Sequence, residues 1–133
     1  MSLGESGPKV LLVEDDQDGR RMYVEWLTGS GFRVSQAHNG LQALERANDL
    51  LPDVVVTDLN IPGIDGFELT RRLKHDPRTR DIPVIAVTGY AAFAADPERA
   101  RRAGCDVVLS KPCSPDDLES AIRGLIGERS RPM

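Results

Sequence analysis

The stretch "VVVTDLNIPGIDG" (54–66) begins as a run of valines, reaches an aspartate at position 58, and turns into a loop with a proline and two glycines. Branched apolar runs of this length belong in strands buried on both faces. A carboxylate beside such a core is costly to desolvate, so Asp58 needs a reason to stand at the tip of a buried strand. The rest of the chain supplies strands and helices that alternate around it.

"KVLLV" (9–13), "DVVVTD" (53–58) and "IPVIAVT" (82–88) read as buried strands, "RVSQA" (33–37) as an edge strand and "DVVLSKP" (106–112) as a fifth. Between them lie amphipathic helical segments. The first, 17–31, carries Met22, Trp26 and Leu27 at helical intervals. The second follows Asn39 as N-cap and carries Leu41, Leu44, Ala47 and Leu51. The third, 66–76, stops at Pro77. The fourth, 96–104, opens on Asp96 and Pro97 and closes on Gly104, and the fifth, 114–127, opens on Ser-Pro and two acids. Alternation of this kind predicts one α/β domain, doubly wound, with a parallel sheet covered on both faces. "MSLGESG" (1–7) reads as a flexible lead-in and 128–133 as a solvated tail.

The bulk numbers narrow the function. The chain has 133 residues and a formal net charge of −4. No global basic field is present to attract nucleic acid or an anionic membrane. No apolar run is long enough to span a bilayer, and the start lacks a signal-peptide pattern. Cys105 and Cys113 are read as reduced packing residues, which sets the expected compartment as the cytoplasm.

In doubly wound sheets the functional crevice lies at the carboxyl ends of the strands. There the sequence places Glu14, Asp15, Asp16, Asp58, Thr88, Ser110 and Lys111. The first strand–helix turn, "VEDDQDG", lacks the glycines of a dinucleotide or P-loop site, and its charge repels a bare phosphate. An acidic crevice calls for a hard cation, Mg²⁺ or Mn²⁺ as substitute, held by carboxylates, a backbone carbonyl and water. Asp58 beside such an ion becomes a nucleophile suited to phosphoryl transfer, with Lys111 and Thr88 placed to take phosphoryl oxygens. Asp16 reads as a helix cap, and His38 and His75 as surface residues away from the crevice.

In this order "LLVEDD", "PDVVVTDLNIPGIDG", "IPVIAVTG" and "AGCDVVLSKP" resemble the receiver domain of two-component response regulators, the CheY-like family, from about residue 8 to 127. The resemblance implies a flavodoxin-like five-stranded sheet of order 2-1-3-4-5 flanked by five helices. It implies phosphoryl transfer to Asp58 from a phosphohistidine on a histidine kinase or phosphotransfer protein, and a conformational switch that controls a downstream protein. Under it Asp15 and Asp58 ligate the metal, Glu14 acts through metal-bound water, and the Asn60 carbonyl is the third protein ligand. Thr88 and Lys111 hold the phosphoryl group, Pro112 follows a cis bond, and Pro62 and Gly66 shape the loop. Val108 stands where the family often has an aromatic switch residue, and Cys113 where phenylalanine is common. Tyr90 is either a partial cover that slows hydrolysis or an ordinary loop aromatic.

The pattern leans toward single-domain regulators and hybrid-kinase receivers, monomeric or weakly dimeric, and away from direct binding of nucleic acid or membrane. It describes a switch with slow self-hydrolysis, not a turnover enzyme. A dehalogenase-type phosphatase shares the strand-end aspartate, cation, hydroxyl and lysine, but needs an acid at position 60, where Asn60 stands. A pseudo-receiver that binds without phosphorylation is the other alternative; it would tolerate loss of the acid, threonine or lysine, and none is lost.

Overall fold

In the computed structural model, residues 7–89 and 96–130 are described. Five strands, β1 (Lys9–Val13), β2 (Arg33–Ala37), β3 (Val54–Asp58), β4 (Val84–Thr88) and β5 (Val107–Ser110), form one parallel sheet of order β2-β1-β3-β4-β5. The helices are α1 (Gln17–Gly29), α2 (Gly40–Leu50), α3 (Gly66–His75), α4 (Pro97–Ala103) and α5 (Pro115–Ser130). The doubly wound class and strand order expected from the sequence are those observed.

Alternation along the inner strands feeds two cores. Val10, Leu12, Val54 and Val56 point to one face, where they meet Tyr23 and Leu27 of α1 and Leu118 and Ile122 of α5. Leu11, Val13, Val55 and Val84 point to the other, against Ala43 and Ala47 of α2 and Leu69 and Leu73 of α3. Each fully buried aliphatic side chain contributes about 1.5–3 kcal/mol, so the valine run of β3 is held from both sides and its end is a rigid platform. A third cluster, Leu59, Phe67, Ala86 and Ala100, lies beside the tip of β3 and joins α3 to α4.

Three details depart from the sequence reading. Met22 is 48% exposed, and α1 buries Tyr23 beside the expected Leu27. In α2, Leu41 is 58% exposed and Leu51 46%, while Gly40, Ala43 and Ala47 form the inward stripe. Ala43 and Ala47 join the core cluster of Leu11 and Val55, with Leu44 partly buried against it as expected, and a Cβ at Gly40 would collide with Ile64. Helix α5 continues to Ser130, beyond the expected tail boundary at 128. The caps follow the sequence: Asp16 accepts from the Gly19 amide, Asn39 from Gln42 and Asp96 from Arg99, and Gly104 closes α4 at φ 106°.

Candidate functional site

Sheet register brings the strand ends to one edge. Asp58, the last residue of β3, pairs with Val87, and Thr88 follows on β4 opposite Ser110 of β5. Beyond β1, the Glu14 amide donates to the Ala37 carbonyl (3.0 Å), which keeps the acidic turn level with the end of β2. Beyond β5, the Lys111 amide donates to the Thr88 carbonyl (2.9 Å), so the lysine is still in sheet register where its side chain departs. The Lys111–Pro112 bond is cis, as the resemblance implied.

The side chains converge on Lys111. Its Nζ donates to Asp58 Oδ2 (2.8 Å) and to Glu14 Oε1 (2.7 Å). Burial works against the ammonium, yet the hydrogen bonds to Asp58 and Glu14 outweigh it and raise its pKa well above the usual lysine value. Burial also raises the Glu14 pKa; the residue is 4% exposed, and the lysine only partly offsets the desolvation. Glu14 Oε2 accepts from the Asp16 amide (3.3 Å). Asp58 Oδ1 accepts from the Asn60 amide (2.9 Å), a turn that fixes the carboxylate plane.

An open cleft of ≈ 680 Å³ exposes this group, lined by Glu14, Asp15, Asp58, Asn60, Lys111 and Pro112, with Tyr23 and Cys113 on its wall. Asp15 is exposed at its rim and Asp16 caps α1, as read from the sequence. Thr88 is buried (1% exposed) beside the cleft, and its carbonyl takes the Lys111 amide noted above. Ser110, grouped with the crevice residues on sequence, is exposed on β5. Val108 is 37% exposed on the outward side of the same strand, so the position where the family often carries an aromatic presents a short aliphatic side chain. Tyr90 lies outside the described residues. Among the described residues, no three acidic, histidine or cysteine side chains converge on one point. A cation in this cleft would thus draw on a backbone carbonyl as well as carboxylates. Burial pushes the Cys113 thiol up.

One support went unread in the sequence. Arg20 of α1 donates from Nη1 to the Glu14 carbonyl (2.8 Å) and from Nε to Gln36 Oε1 (3.3 Å), tying the acidic turn to helix and edge strand. Its only sequence signal is its place one turn inside a helix that starts at the crevice. Gly66, read as a loop-shaping glycine, has a sharper role. A Cβ there would lie 2.6 Å from the Asp58 carbonyl oxygen and 2.7 Å from Leu59 Cα, so only glycine lets α3 start against the loop that follows Asp58.

Comparison with known proteins gives the family and agrees with the fold. The model of the response regulator receiver domain matches residues 10–123. The polar-differentiation response regulator DivK of Brucella anthropi is 36% identical over 119 residues, covering 90% of this chain and 96% of that protein. Among solved structures, the receiver domain of a sensor histidine kinase from Pseudomonas aeruginosa, which holds a magnesium ion in its active-site cleft, superposes with a TM-score of 0.83. It is 30% identical and covers 91% of this chain and 98% of that one. A chemotaxis response regulator of Vibrio cholerae gives 0.81 at 26% identity, covering 89% and 98%. This chain belongs to the response regulator receiver domains, whose standard function is that of phosphoacceptor in two-component signalling.

Proposed function

We propose that Asp58 is the phosphoacceptor, that Asp15, Asp58 and the Asn60 carbonyl hold Mg²⁺ (or Mn²⁺) with Glu14 acting through water, and that Thr88 and Lys111 are the phosphoryl-responsive pair. The observation that carries this reading is the Lys111 ammonium, which bridges Asp58 and Glu14 in one solvent-open cleft. The donors are hard oxygens, the set that suits Mg²⁺. When bound, that ion supplies positive charge against the phosphoryl oxygens.

The chain's own residues do the rest. The Asn60 amide holds Asp58 Oδ1, which leaves the carboxylate oriented toward the cleft. A carboxylate oxygen of Asp58 attacks the phosphorus of a phosphohistidine; the P–N bond breaks, an acyl phosphate forms, and the imidazole leaves and takes a proton. Lys111 then gives up its hydrogen bond to Asp58 and follows a phosphoryl oxygen, and Thr88 turns its hydroxyl to another. Because Lys111 is tied through its amide to Thr88, the two move as neighbours in one sheet edge. The product hydrolyses slowly, since Asn60 supplies no carboxylate base.

On this reading residues 8–127 form the receiver. Its donor is a histidine kinase or His-containing phosphotransfer protein, its output a downstream protein, and its compartment the cytoplasm; Pro112, Val108 and Tyr90 are assigned to the switch. No helix among the described residues is long and apolar enough to cross a membrane. The test is a titration with beryllofluoride and Mg²⁺ followed by amide NMR. Shifts centred on Asp58, Thr88 and Lys111 are expected, and a spectrum unchanged at all three would overturn the assignment.

A further inference from the structure

The Arg20 guanidinium stands beside an acidic turn yet bonds neutral oxygens. Its Nη1 lies 2.8 Å from the Glu14 carbonyl and 3.5 Å from that of Asp15, and its Nε lies 3.3 Å from Gln36 Oε1. Among the described residues it forms no ion pair, although Glu14, Asp15, Asp16 and Asp18 all precede it within six positions. A guanidinium that bonds carbonyls rather than carboxylates fixes the backbone and leaves the acids to a cation.

These bonds bracket Asp15. The Glu14 amide is held by the Ala37 carbonyl (3.0 Å), and Gln36, next to Ala37, takes the other side of the Arg20 fork. The peptide between Glu14 and Asp15 is then fixed through its carbonyl by Arg20. The following peptide is fixed through the Asp16 amide, which donates to Glu14 Oε2 (3.3 Å), and the Asp16 carbonyl takes the Arg20 amide (2.9 Å). Asp15 itself is exposed at the cleft rim. The direction in which its side chain leaves the backbone is thus set by the two flanking peptides, not by packing.

We propose that Arg20 is a positioning residue for the cation site: by holding the Glu14–Asp15 peptide it presents the Asp15 carboxylate to Mg²⁺. The proposal rests on the Mg²⁺ ligands given above. Arg20 acts through the backbone, since its donors reach carbonyl and amide oxygens and not the carboxylates of Asp15 or Asp58. Its charge works the other way. A fixed positive group near the cleft repels a divalent cation, so electrostatics alone predicts tighter Mg²⁺ binding once Arg20 is gone. Positioning predicts weaker binding, because a freed turn must be ordered again when the ion binds. The sign of the change separates the two.

The test titrates Mg²⁺ into the full, unphosphorylated chain and reads Kd from amide shifts, with no phosphoryl donor present. Arg20→Met keeps the stem but removes donors and charge, and Arg20→Lys keeps the charge and a single donor group. Arg21→Met removes a neighbouring charge from an exposed position of the same helix. Circular dichroism checks that each variant is folded at the titration temperature. Kd is expected to rise about tenfold in R20M, to rise less in R20K, and to stay the same or fall in R21M. Unchanged or tighter binding by folded R20M would overturn the proposal and leave the Mg²⁺ site standing. An equal rise in R21M would also overturn it. Should R20M not fold, R20K decides: a rise of at least about twofold supports the proposal, and a Kd equal to wild type overturns it. Wild type that binds no Mg²⁺ would overturn the cation site and this proposal with it.

Discussion

Lys111 Nζ stands 2.8 Å from Asp58 Oδ2, across 53 residues of sequence, and the same ammonium holds Glu14 at 2.7 Å. One cation therefore compensates two partly buried carboxylates that would otherwise repel each other. The pair is set by strands on either side of β4, so it depends on the sheet as a whole.

Replacing Lys111 with methionine removes that cation while keeping most of the stem. Both carboxylates lose their partner, and the fold is expected to lose about 1–2 kcal/mol, less than for a fully buried pair because the lysine side chain is 29% exposed. Urea denaturation with and without Mg²⁺ checks this. The loss is expected to shrink when Mg²⁺ is added; an equal loss in both conditions would contradict the shared-cation reading.

Glu14 adds a pH dependence whose sign is fixed by burial. Desolvation raises its pKa above the ordinary 4.5, so the folded state holds that proton more tightly than the unfolded chain. The associated stability is fully present below 4.5 and is lost as pH rises through the folded value. Glu14→Gln lacks this titration. Denaturation midpoints of the two proteins, compared across the acidic range, are expected to move in the variant's favour as pH rises through that window. Lys111 runs to the alkaline side: its contribution is complete below the ordinary 10.5 and is lost as pH rises from there through its raised folded value.

Gly66→Ala puts a methyl group into the Asp58 carbonyl and Leu59 Cα. Both are backbone atoms, so α3 must move away from the loop. A loss of about 1–3 kcal/mol is expected, of the order of an overpacked core, together with slower phosphorylation. Thermal denaturation alongside a phosphorylation time course checks both.

How far the sequence reaches can be judged from these residues. Asp58, Thr88 and Lys111 were legible because each directly ends or follows an apolar run, and a parallel sheet places all such ends on one edge. The inward face of α2 was read in part: Ala47 is buried and Leu44 packs against the core as expected, but Leu41 and Leu51 are exposed while Gly40 and Ala43, small residues that no apolar-size pattern marks, are buried. Arg20 was missed because its bond goes to a backbone carbonyl, and no residue pattern marks a carbonyl as needing a donor.

The central claim is that Asp58 carries the phosphoryl group. Its most direct measurement is the intact mass of wild type and Asp58→Asn after incubation with acetyl phosphate, with and without Mg²⁺. A single labile phosphoryl adduct is predicted on wild type with Mg²⁺, absent without the ion and absent from a folded Asp58→Asn. An adduct of equal yield on the variant, or none on folded wild type under any metal condition, would contradict it.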